Sequence, residues 1–175
     1  MGTEMKKRID LAWQGCAPWI VEFDGSPTIT LLVEIPIGSL LPGLKTLAEG
    51  SENLRITRIS ATKAIPPQFI PLESFLEELE KLQSEQTAEL SVNFKASRDA
   101  FDLDLHMVIH PLKDGKAALE LVWWNDQVFS EETDNLAQFQ ALAGYFIELQ
   151  VLFGAGSLFI SPESGIGSDE SWVEL

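Results

Sequence analysis

In TDNLAQFQALAGYFIELQVLFGAGSLFIS, residues 133–161, the side chains Phe139, Leu142, Phe146, Leu149 and Phe153 recur at alternating steps of three and four. That spacing puts five large apolar groups on one helical stripe, which must be covered. Tyr145, Ile147, Val151 and Leu152 widen the stripe and leave Gln138, Gln140, Glu148 and Gln150 for water, so the helix is expected to be sandwiched by protein. Glu131, Glu132 and Asp134 suit its N-terminus, where the helix dipole favours negative charge. Gly154-Ala155-Gly156 supplies the backbone freedom on which helices end, and Leu158-Phe159-Ile160 then reads as a strand halted by Pro162.

The natural partner for this helix lies just upstream. Leu90, Val92 and Phe94 alternate with Glu89, Ser91, Asn93 and Lys95; after a turn near Ser97–Asp99, Phe101, Leu103, Leu105, Met107 and Ile109 alternate with Asp102, Asp104, His106 and His110. Pro111 stops this second strand, Lys113-Asp114-Gly115-Lys116 turns the chain, and Leu119, Leu121 and Trp123 line a third. The result is a three-stranded antiparallel meander with two distinct faces, and the Phe stripe is the cover for the apolar one.

Further out the pattern is weaker. Ile9, Leu11 and Trp13 alternate with polar or small neighbours and suggest a strand over Lys6–Trp13, with a short helix as the alternative. Trp19, Val21 and Phe23, the turn residues Asp24-Gly25-Ser26-Pro27, and Ile29, Leu31, Val33 and Ile35 read as a hairpin. Pro36, Gly38, Pro42, Gly43 and Gly50 suggest a loop holding one or two helical turns around Leu44–Ala48. Leu54–Ala61 reads as a strand bulged between Ile56 and Ile59. Pro66, Pro67 and Pro71 introduce a helix over about 72–83, with Leu72, Phe75, Leu76, Leu79 and Leu82 on one face and a solvated charge run on the other.

The sum is an α+β fold: a largely antiparallel sheet of about six or seven strands, with a long C-terminal helix and a shorter middle helix packed on it. Residues 1–161 read as a single α+β domain and 162–175 as a flexible acidic tail in which Trp172 and Val173 are out of place.

Charge narrows the function. With 27 acidic against 12 basic residues the chain carries -15, which opposes nucleic acid and anionic membrane surfaces and draws in a basic protein. Cys16 is the single cysteine, so an intrachain disulfide and a cysteine zinc site are excluded and a reducing, cytoplasmic setting fits. Asp10 and Gln14 interrupt any secretion signal, and the window Ala141–Phe153 falls short of the ~20 residues of a membrane span.

Chemistry is sparse. There is no Gly-x-Ser-x-Gly elbow, Cys16 has no basic neighbour, and Gly154-Ala155-Gly156 and Gly165-Ile166-Gly167 lack the context of phosphate loops, so no catalytic residue and no cofactor are expected. Asp102, Asp104, His106 and His110 share one strand face with Glu120 nearby, which is a donor set for zinc, manganese or iron. Same-face neighbours ~6.6–7 Å apart chelate poorly, however, and a solvated face is the simpler reading. Trp123 and Trp124 must point to opposite faces. An outward Trp124 beside Val122, Glu120, Asp102 and Asp104 makes an aromatic anchor in an acidic rim, the make-up of a partner-binding patch unless the helix at 72–83 covers it.

The expectation is therefore a stoichiometric, non-catalytic binding protein, with homo-oligomers compatible. Small immunity proteins that neutralise a basic toxin share this size and charge, as do acidic secretion chaperones that hold an effector; the competing class is a metal-dependent enzyme or metal binder built on His106 and His110.

Overall fold

The computed structural model describes residues 2–22, 28–33, 40–51, 53–60, 66–84, 88–111, 116–123, 128–130, 133–161 and 173–174. In chain order they form α1 (Thr3–Glu22), β1 (Thr28–Val33), α2 (Leu40–Gly50), β2 (Arg55–Ser60), β3 (Gln68–Ile70), α3 (Phe75–Ser84), β4 (Ala88–Arg98), β5 (Phe101–Pro111), β6 (Ala117–Val122), α4 (Asn135–Phe153), β7 (Ala155–Ser161) and β8 (Val173–Glu174). The fold is α+β with an antiparallel sheet and a long C-terminal helix. Among the described residues the sheet has eight strands, one or two more than the residue pattern indicated, in the order β3-β2-β4-β5-β6-β1-β7-β8.

The meander is the centre of that sheet. β4 and β5 pair from Leu90↔Ile109 to Arg98↔Phe101, so the turn falls at Asp99-Ala100, one step later than the polar residues suggested. β6 follows in register with Met107↔Leu121 and Ile109↔Leu119. Leu90, Val92, Phe94, Leu103, Leu105, Met107, Ile109, Leu119 and Leu121 thereby share one face, and all are buried.

The stripe of α4 covers it. Phe139, Leu142, Phe146, Leu149 and Phe153 are buried, the Phe146 ring lies 5.3 Å from Trp123, and Tyr145 meets Phe101 edge-on at 5.8 Å. Each such side chain stabilises the fold by roughly 1.5–3 kcal/mol. By length and composition α4 would suit a bilayer, yet its Phe stripe is buried in this contact, while Leu136 and Val151 are exposed, so the helix is covered on one side and not sandwiched. Asp134 caps the start, its Oδ1 accepting from the Ala137 N–H at 3.1 Å, and Gly154 ends the helix in the left-handed region at φ 63°. Glu131 and Glu132 lie outside the described residues.

The N-terminal half departs from expectation. Residues 3–22 are one helix, not a strand followed by half a hairpin. Its core face is Ile9, Ala12 and Cys16, with Met5 and Trp13 half-buried beside it, whereas Leu11 is 58% exposed. The alternation of Ile9, Leu11 and Trp13 misled because the true contact residues at steps of three and four include two small ones. Trp13 stacks on Phe129 and meets Phe139 at a tilt, and Gln140 donates to Asp10 Oδ1 at 2.6 Å, which docks α1 on α4.

Among the described residues β1 has no hairpin partner next to it in the chain. It enters between β6 and β7, with Leu31 opposite both Leu119 and Leu158. The turn residues 23–27 and Ile35 lie outside the described residues. The segment expected as loop contains α2, eleven residues long: Pro42 falls in its first turn, where a missing N–H is tolerated, and Leu40, Leu44 and Leu47 are buried. Gly43 is needed there because a Cβ at that position would lie 2.7 Å from Phe153 Cδ1. β2 pairs with β4 in unbroken register, so it carries no bulge; the apparent slip at Arg58 is a charged residue on the covered face, opposite Leu90. α3 begins at Phe75, after a 3-10 turn over Leu72–Ser74, and Phe75 is fully buried.

Residues 162–172 of the tail lie outside the described residues, while Val173–Glu174 return as β8 against β7.

Candidate functional site

Which face α3 covers is settled by one ion pair. Arg58 Nη1 lies 2.6 Å from Glu78 Oε2, and Arg58 is opposite Leu90, so α3 sits on the same side of the sheet as α4. Lys81, then Arg58, hydrogen-bonds Glu78 and holds its carboxyl below the usual glutamate range. The helix at 72–83 therefore does not cover the face bearing Asp102 and Asp104.

That second face has two parts. Across its middle runs a row set by the strand registers, Thr57↔Ser91, Ser91↔Val108 and Val108↔Glu120, in which Thr57, Ser91 and Glu120 are all buried. Glu120 is only 6% exposed, and His110 Nε2 lies 2.9 Å from its Oε2. Toward the β4–β5 turn the face opens. Asp102 and Asp104 are exposed, and Lys95 Nζ reaches Asp102 Oδ2 at 2.6 Å while Ser97 donates to its Oδ1 at 2.5 Å. Those two contacts, Lys95 first, hold the Asp102 carboxyl below the usual aspartate range.

The residues singled out from sequence are thus divided. Val122 stands opposite His106, both half-buried, and the exposed Asp104 is one same-face step further along β5; these three form one group. Glu120 belongs to the closed row and Asp102 to the open end, six residues from Val108 or about 20 Å along the strand. Trp124 lies outside the described residues, while Trp123 is buried on the helix side as its parity requires.

The donor set does not converge. His106 and His110 are four residues apart on β5, about 13 Å, and each is already engaged: His106 Nδ1 donates to Asn93 Oδ1 at 2.7 Å, and His110 is held by Glu120. Among the described residues no three His, Cys, Asp or Glu side chains come together as a metal site. Cys16 is buried, donates to the Ala12 carbonyl at 2.9 Å, and has its thiol pushed up to about 12 by burial, which makes it a structural group.

One feature escaped the sequence reading. Phe69 on edge strand β3 is 71% exposed and borders an open apolar groove with Ile70, Pro71 and Leu72. Pro66, Pro67 and Pro71 frame it; they were legible as a helix entry and equally mark a short edge strand.

No protein-family model matches the chain, and neither does any curated protein or solved structure.

Proposed function

We propose that the chain is a stoichiometric protein-binding module, an inhibitor of the immunity type, whose acidic exterior selects a basic partner. The observation that carries this reading is the pair of exposed carboxylates Asp102 and Asp104 on β5, an inner strand of the sheet, with half-exposed His106 and Val122 beside them. Carboxylates held on paired strands are preorganised, so little side-chain freedom is lost when a cationic surface meets them. The charge of -15 would speed encounter, and Val122 would supply apolar contact within the acidic surround. Trp124, two residues beyond Val122, is the anchor the sequence nominates for the same patch.

The test is capture followed by reconstitution. A partner recovered at low salt and identified by mass spectrometry should bind the purified chain one to one in calorimetry, with affinity falling as salt rises. The double substitution Asp102→Lys, Asp104→Lys should weaken that binding at least tenfold. A partner that binds the double variant as well as the parent chain would refute the proposed face.

A further inference from the structure

The corner where β2 begins and β3 ends holds a second surface, which meets the Asp104 and His106 face at Arg55. The pairing Ile56↔Ile70 brings Arg55 level with Pro71, which has no N–H to continue the ladder, so the chain turns away into the Leu72–Ser74 turn. The gap left against the end of α2 is an open groove of about 580 Å³ lined by Ala48, Leu54, Ile56, Phe69, Ile70, Pro71 and Leu72, with Arg55 its one charged residue. That volume falls within the roughly 300–1,000 Å³ typical of small-molecule sites.

Arg55 differs from the arginines around it. Arg58 is held by Glu78, and Arg98 is held by Glu148 while lying over the Tyr145 ring. Arg55 is exposed and forms no ion pair among the described residues. Asp104 lines the neighbouring groove with Arg55 but forms no ion pair with it, and a guanidinium fork at the rim of an apolar wall matches a ligand that brings both an apolar body and an anionic head.

We propose that this groove binds an amphiphilic monocarboxylate: an alkyl or flat aromatic body against Phe69, Ile70, Pro71 and Leu72, with its carboxylate on Arg55. The head is a monoanion because one carboxylate balances the one guanidinium in the groove lining, whereas the second charge of a phosphate would have no cationic partner there. Charges farther off than ~10 Å are largely screened at 0.1 M salt. This inference goes beyond the protein-binding reading and does not depend on it.

The probe is 11-(dansylamino)undecanoic acid, whose emission rises in an apolar site, displaced by laurate, dodecyl phosphate, dodecanol or dodecyltrimethylammonium. Saturable one-to-one binding is expected, with laurate displacing the probe about tenfold better than the other three. Arg55→Gln should weaken laurate by about tenfold and leave dodecanol unchanged. Phe69→Ala, at an exposed position, should weaken laurate and dodecanol alike without moving the unfolding midpoint. Unsaturable binding, equal displacement by all four head groups, or an Arg55→Gln variant equal to the parent would overturn the proposal; so would a silent Phe69→Ala, which would put the amphiphile elsewhere. Equal displacement with a silent Arg55→Gln is also what a groove shaped for a protein partner's apolar side chains would give.

Discussion

The two faces of the sheet are made from the same strands and hold the molecule together differently. On the helix side, odd-numbered residues of β5 share one apolar core with Phe139, Phe146 and Phe153, and stability comes from close packing of large apolar groups. On the other side, even-numbered residues of β5 pair with polar residues of the neighbouring strands: His106 with Asn93, Asp102 with Lys95, His110 with Glu120. Polar pairs near water contribute little each, so the first face should govern stability and the second should be free to serve recognition. The buried row through Ser91 and Glu120 is the exception that joins them.

The contrast can be broken or sharpened by substitution. Phe146→Ala removes a ring that is 1% exposed and touches Trp123 and Tyr145, so urea unfolding should show a loss of about 3–5 kcal/mol. Gly43→Ala forces a methyl group against Phe153 and should cost about 1–3 kcal/mol by overpacking. On the opposite face Glu120→Ala should cost about 1–3 kcal/mol, because it strips His110 of its acceptor in a buried setting. A loss there matching Phe146→Ala would erase the distinction between the faces.

Smaller effects probe the margins. Ser91 Oγ is buried without a hydrogen-bond partner among the described residues, so Ser91→Ala should leave stability unchanged or raise it by up to ~1 kcal/mol. Glu78 has a folded-state carboxyl below its unfolded value, so its ion pairs with Lys81 and Arg58 stabilise the fold above about pH 5 and lose that effect as pH falls through the lowered value. The stability gap between the parent chain and Glu78→Gln should therefore be constant from pH 5 to 7 and close toward pH 3. Asp102→Ala, at an exposed site, should leave the unfolding midpoint where it is while weakening partner binding.

The legible parts of the sequence were those where large apolar residues repeat cleanly. β5 alternates through five apolar residues from Phe101 to Ile109, and α4 shows five at helical spacing, so each names its own period. α1 does not, because Ala12 and Cys16 occupy core positions that hydrophobicity alone underrates, while Leu11 is exposed. The candidate site was legible only as parity: Asp102, Asp104, His106 and Val122 do share a face, but the distances dividing Glu120 from Asp102 needed the register. The groove at Arg55 was not legible at all, since Ala48, Ile56 and Phe69 come from three elements.

Local pattern therefore determined the meander, the covering helix, its cap and stop, and the sign of the charge, because each depends on residues a few positions apart. Tertiary structure alone decided that β1 enters between β6 and β7, that α3 joins α4 on one side, and that a groove opens where β3 ends. Those outcomes depend on which distant surfaces bury each other best, and a chain read one window at a time carries no record of its distant partners.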